Sequence, residues 1–157
     1  MRYCLFIVFV VMSWVAQAEE ILPAGCKAIK VNGDSVMLTA PNPVLIMLHN
    51  ISNMDLWVTH PVSEPNASAG WSSRLQAGNW SALALQNKSF ELTCIESKPG
   101  HEQQVACADV LAVCQWPGGS MPAQGEATTY WAGEDMSLSA LTAYLGRRGF
   151  ELPEPRQ

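Results

Sequence analysis

The chain is 157 residues long and carries 14 acidic against 9 basic side chains, a net charge of −5 with the histidines neutral. It has no basic stripe, which argues against nucleic acid and against an anionic membrane surface as partners. Beyond the first 18 residues no apolar run approaches the roughly 20 residues that span a bilayer, so no membrane span is expected in the rest of the chain.

The N-terminus reads as an export signal. Arg2 supplies a positive region, Tyr3 to Val15 is almost unbroken apolar, and Ala16-Gln17-Ala18 puts small residues where signal peptidase cuts, just before Glu19-Glu20. Residues 1–18 are therefore expected to be a cleaved signal peptide. Residues 19–157 are then a single disulfide-bonded domain, periplasmic or secreted. Cys4 leaves with the leader, and Cys26, Cys94, Cys107 and Cys114 remain. An even count in an oxidising compartment implies two disulfides. Tight Cys-x-x-Cys pairs, the usual mark of a zinc site, are absent.

In chain order, residues 27–31 and 34–39 are short extended runs around Asn32-Gly33-Asp34, which reads as a hairpin. Pro43 to Ile51 is strongly strand-like, with Val44, Ile46 and Leu48 on one face. Leu56 to Thr59 is a further strand, ended by Pro61, and residues 61–71 hold loop-forming Pro, Ser, Asn and Gly. Trp80 to Leu85 and Phe90 to Ile95 alternate again. Val105 to Trp116 reads as one more strand before Pro117-Gly118-Gly119. The period then changes: Met136, Leu138, Leu141, Tyr144 and Leu145 recur at helical spacing. Asp135 is expected to cap this helix, Gly149 to end it, and Leu138, Leu141 and Leu145 to face the core. The predicted fold is mainly β: an antiparallel β-sandwich with one C-terminal helix.

The same strands suggest a disulfide pairing. If the runs at 90–95 and 108–116 pair about the turn Lys98-Pro99-Gly100, Cys94 and Cys107 meet at its neck, which leaves Cys26 to Cys114. The competing pairing, Cys26–Cys94 with Cys107–Cys114, needs two cysteines along one extended strand. Seven residues of strand span over roughly 20 Å, beyond disulfide reach.

Much of the chain resembles the bacterial enhanced entry protein EnhB family. The resemblance rests on His60-Pro61-Val62-Ser63, Ala69-Gly70-Trp71-Ser72-Ser73-Arg74-Leu75 and Gly78-Asn79-Trp80-Ser81-Ala82-Leu83-Ala84-Leu85. It continues through Cys94-Ile95-Glu96-Ser97, Pro99-Gly100-His101-Glu102-Gln103-Gln104, Trp131-Ala132-Gly133-Glu134-Asp135-Met136 and Leu138-Ser139-Ala140-Leu141. It covers about residues 22–153. The resemblance implies an exported virulence-linked accessory protein, active in entry into host cells or in the envelope, with no defined reaction.

A second, local resemblance is to cupredoxin-like domains. Phe90-Glu91-Leu92-Thr93-Cys94 with Pro99-Gly100-His101 looks like their last strand and loop, and His49-Asn50 looks like their upstream histidine. It implies a copper site made of His49, Cys94 and His101, since blue copper takes two imidazoles and a thiolate in one plane. Two features depart from that pattern. No Met follows His101 closely, and a thiolate at Cys94 would leave an odd number of cysteines for disulfides. The reading without copper, with no metal and no cofactor, keeps Cys94 in a disulfide.

Catalytic signals are thin. Trp71-Ser72-Ser73 lacks the Gly-x-Ser-x-Gly elbow, no thiol is left free if all four cysteines pair, and Glu134-Asp135 most simply starts a helix. The chain therefore reads as a non-enzyme. The tryptophans are more suggestive, because a loop-borne Trp buries much area for few frozen torsions. Trp71 follows Ala69-Gly70, Trp80 follows Gly78-Asn79, and the segment from His60 to Arg74 is the longest expected loop. His60, Trp71, Arg74 and Trp80 are the candidate partner-binding residues. The expected function is an exported, non-catalytic binding or accessory domain whose partner is a protein of the envelope or of a host surface. The alternative is a copper-binding protein.

Overall fold

The computed structural model describes residues 22–40, 42–61, 72–86, 88–117 and 129–152. In chain order the elements are β1 (Lys27–Ile29), β2 (Ser35–Ala40), β3 (Val44–Asn50), β4 (Leu56–Thr59), β5 (Ser72–Leu75), β6 (Trp80–Leu85), β7 (Lys88–Glu96) and β8 (Gln103–Val105). They are followed by α1 (Cys107–Val110), β9 (Leu111–Pro117), β10 (Thr129–Met136) and α2 (Leu138–Arg147). Every pairing is antiparallel. One sheet runs β1-β9-β3-β6-β10. The other runs β2-β7-β4-β5, with β8 on β7 beyond the end of β2. The protein is a β-sandwich with one C-terminal helix, as the alternating runs and late helical spacing lead one to expect.

Period-two alternation sorts each strand between two environments. Val36, Leu38, Leu56, Val58, Phe90 and Leu92 from one sheet meet Val44, Ile46, Leu48, Leu83, Leu85 and Val113 from the other, and together they form the inter-sheet core. The other side of β3, β6 and β9 is apolar as well. Leu45, Met47, Trp80, Ala82, Ala84, Cys114 and Trp116 make a second core, covered by Leu141, Leu145 and Phe150. All six residues of β6 are buried for this reason. The central strands of the first sheet are thus covered on both faces, and α2 lies on them. We call the first sheet the covered sheet and its partner the open sheet.

Helix α2 can come this close because the strands beneath it carry small side chains. Ala82, Ala84 and Ala132 are buried there. A Cβ on Gly133 would lie 2.5 Å from Cδ1 of Leu141 and 3.2 Å from Cδ1 of Tyr144. The helix ends in a Schellman arrangement: Gly149 (φ +86°) donates its N–H to Gly146 and Phe150 donates to Leu145. Phe150 then folds back into the same core as Leu145. The N-terminal segment completes the cover. Leu22 and Cys26 pack on this core, and the Trp116 Nε1–H donates to the Ala24 carbonyl at 2.9 Å.

Cys26 is bonded to Cys114, and Cys94 to Cys107. The pairing agrees with expectation, but the geometry behind it differs. The run at 90–95 does not pair with that at 108–116. Strand β7 turns at Lys98-Pro99-Gly100, where Gly100 has φ +78° and His101 N–H donates to Lys98 O, and returns as β8 with Cys94 opposite Val105. The expected strand at 105–116 is interrupted. Cys107–Val110 is one helical turn, and β9 after it belongs to the covered sheet. A short apolar run does not declare its period. Here the turn places Cys107 against Cys94, two residues past the end of β8.

Two further expectations need correction. The runs around Asn32-Gly33 make no hairpin: β1 pairs with β9 and β2 with β7, so the turn carries the chain from one sheet to the other, with only an Asn32–Ser35 bridge across it. Asp135 does not cap α2. The cap is Ser137, whose side chain accepts from Ala140 N–H, and Leu138 is only partly buried. Asp135 sits in β10 with φ +49° and accepts from the Gln76 N–H, the Gln76 side chain and the Asn79 side chain. Three donors on the β5–β6 turn hold the carboxylate there.

Leu141 is fully buried, so Leu141→Asp should cost about 3 kcal/mol or more by burying an unpaired charge. Gly133→Ala should cost about 1–3 kcal/mol by overpacking. Denaturant unfolding monitored by tryptophan fluorescence measures both.

Candidate functional site

The outer face of the open sheet carries the alternate residues of β2, β7, β4 and β5, and α2 lies on the opposite side of the molecule. Register builds it row by row. One row reads Gln104, Ile95, Trp57, Arg74, and the next reads Ser35, Thr93, Thr59, Ser72. Trp57 and Ile95 are half-buried neighbours in the first row, and Arg74 and Gln104 flank them, exposed. In the second, the Thr59 and Thr93 hydroxyls are 2.7 Å apart and share a hydrogen bond. The result is an apolar centre between polar ends, with two hydroxyls beside it.

Arg74 is held in place. Its guanidinium pairs with the Asp55 carboxylate, which also accepts from Ala77 N–H, while the Asp55 carbonyl accepts from Ser97 N–H. The Arg74 hydrogen bond, helped by the Ala77 N–H, holds the Asp55 carboxyl below the usual carboxylate range against a smaller opposing effect of burial. Below Arg74, Asn50 is fully buried. Its amide donates to the Met54 and Leu75 carbonyls and accepts from the Ser52 N–H and hydroxyl. Every polar atom of that side chain is used, as burial in a low-dielectric setting demands. The Ser73 hydroxyl reaches Glu134, and Asp135 clamps the β5–β6 turn. Glu134 and Asp135 thus anchor β5 to β10.

The residues singled out in the sequence do not converge on one place. Arg74 lies on this face. His60 follows β4; its ring stacks on Phe90 with centroids 4.1 Å apart, and its Nδ1 is 2.7 Å from the Glu91 carbonyl. Trp80 cannot anchor a partner. It is 4 % exposed, inside the second core, and stacks on His49 with centroids 4.1 Å apart and planes 5° from parallel. Trp71 and the loop at 62–71 lie outside the described residues.

The copper set is not assembled either. The Cys94 sulfur is bonded to Cys107 in the inter-sheet core. His49 is on β3 of the covered sheet against Trp80, and His101 is exposed in the β7–β8 turn. A thiolate ligand would require breaking that disulfide. Among the described residues no group of three or more His, Cys, Asp or Glu is arranged to hold a metal ion.

Sequence reasoning missed Trp57, Ile95, Thr93 and Asp55. The signal was present in Leu56-Trp57-Val58-Thr59, where the aliphatic pair faces one way and Trp57 the other. What it lacked was the knowledge of which face a helix covers.

Compared with known proteins, the chain matches no family model, no curated protein and no solved structure. Among the described residues no helix is long and apolar enough to cross a membrane.

A carboxyl with a depressed folded-state pKa adds stability that is present above its unfolded value, about 3.9, and lost as pH falls through the folded value. Asp55→Asn should therefore lower the melting temperature slightly at pH 7, since exposed ion pairs contribute little. The two proteins should converge as the pH drops below the carboxylate range. Melting curves between neutral and strongly acidic pH check this.

Proposed function

We propose that the chain is an exported, non-catalytic binding domain that offers the outer face of its open sheet, centred on Trp57, to a protein partner in the bacterial envelope or on a host surface. The observation that carries this reading is the asymmetry of the sandwich. One sheet is hidden on both faces across its central strands, and the other keeps an outer face with a half-buried aromatic between Ile95 and Arg74. Trp and Arg are the residue types that most often dominate binding at protein interfaces. An apolar centre with a polar border is the usual layout of such a surface.

Two cross-links suit an oxidising compartment. They agree with the signal-like N-terminus and with the resemblance to the enhanced entry proteins. The network around Asn50, Asp55 and Asp135 supports the same reading, because it stiffens the strands that carry Trp57 and Arg74. A rigid surface loses less entropy on binding.

The test is capture from an envelope extract and from host-cell lysate on immobilised protein. Wild type should retain a specific partner. Trp57→Ala and Arg74→Glu should each weaken its retention roughly tenfold or more, an effect expected of residues at the centre of an interface, while both remain folded by circular dichroism, with some loss of melting temperature for Arg74→Glu because it sets a second carboxylate beside Asp55. Arg147→Glu, on the helix side, should retain the partner fully. Equal capture by all four proteins would place the partner surface elsewhere.

A further inference from the structure

With the outer face of the open sheet taken as the binding surface, as proposed above, we infer that what it recognises on its partner is a neutral sugar chain carried by a glycoprotein. A sugar ring offers two kinds of surface. Its faces are rows of C–H groups, which pack on the electron-rich plane of an aromatic ring. Its rim is a circle of hydroxyls, which need donors and acceptors. A surface that binds it therefore joins an aromatic platform to uncharged polar side chains.

The outer face has that composition. Among the described residues, Trp57 is the one tryptophan, tyrosine or phenylalanine that alternation places on it. The apolar centre is small, Trp57 with Ile95, so one sugar face covers it. Register sets polar groups around this centre: the Gln104 amide and the Arg74 guanidinium at the ends of its own row, and the Thr93, Thr59 and Ser72 hydroxyls in the next. The Thr59 and Thr93 hydroxyls fix each other at 2.7 Å, and each oxygen keeps lone-pair capacity beyond that bond. From Gln104 on β8 to Arg74 on β5 is three strand spacings, about 14 Å, the length of about two or three sugar rings lying across the strands.

Charge makes the sugar a neutral one. Arg74 is already balanced by Asp55, and Glu91 shares the face by alternation. The whole chain carries a net charge of −5. An acidic glycan would meet a field of its own sign, and a neutral one meets no such penalty. Arg74 still serves a neutral ligand. Its side chain is 51 % exposed, and the bond to Asp55 engages only part of its fan of N–H donors.

Binding of the protein to immobilised oligosaccharides tests this, with mannotriose, chitotriose and lactose as neutral probes and sialyllactose as the acidic one. Wild type should be retained by at least one neutral probe and released by the same sugar free in solution. Trp57→Ala should lose that retention roughly tenfold or more, and Trp57→Tyr, which keeps a ring, should restore much of it. Thr93→Val, which removes one hydroxyl at nearly constant shape, should weaken it about two- to tenfold. All three should remain folded by circular dichroism, and Arg147→Glu should bind as wild type does. Retention by no neutral probe, stronger retention by sialyllactose than by lactose, or equal retention of Trp57→Ala and wild type would overturn the proposal. Periodate oxidation of the host-cell lysate, which cleaves the vicinal diols of sugars, should abolish capture of the partner. Capture that survives oxidation and still depends on Trp57 would remove the sugar and leave the face a protein-binding surface. Capture that Trp57→Ala leaves unchanged would remove both.

Discussion

Leu141 and Leu145 of α2 press on a patch of strand built from Ala82, Ala84, Ala132 and Gly133. A larger side chain at Gly133 would strike Leu141 and Tyr144. This contact decides the rest of the architecture, because β3, β6 and β9 are apolar on both sides and leave a second face that must be hidden from water. The helix hides much of it, and the N-terminal segment with Phe150 covers the remainder. Once the centre of that sheet is enclosed, the other sheet is the one left with a broad outer face open to solvent.

Each core has its own cross-link. Cys94–Cys107 is buried in the inter-sheet core and ties the hairpin strand β7 to the helical turn α1. Cys26–Cys114 lies in the outer core and fastens the short edge strand β1 to β9. The second bond closes a span of 88 residues, the first a span of 13. In the chain-entropy picture the longer loop contributes more. Strand β1 has only three residues of pairing, so its attachment depends on that bond and on the Trp116 hydrogen bond to Ala24.

The polar residues are concentrated at the end of the sandwich where the β3–β4 and β5–β6 connections meet. Asn50, Asp55 and Asp135 each accept from backbone N–H groups, side chains or both in this region. These bonds replace the regular ladder where the strands end. They also fix β4 and β5, the strands that bring Trp57 and Arg74 side by side.

Local pattern alone determined a good part of this protein. Alternation located the strands at 44–50, 56–59, 80–85 and 88–96 within a few residues. Helical spacing located Leu141 and Leu145, and glycine marked the turns at Gly33 and Gly100. Four cysteines with a turn between two of them led to the observed pairing, although the strands thought to bring them together belong to different sheets. Tertiary structure decided what neighbours decide. Asn32-Gly33 could close a hairpin or lead from one sheet to the other, and the partners of β1 and β2 settled it. Asp135 could cap a helix or hold a turn, and three donors across the chain settled that. Trp80 and Trp57 are both strand tryptophans. Alternation assigns each to a face but does not say which face is covered, and the placement of α2 buries Trp80 and leaves Trp57 at the surface.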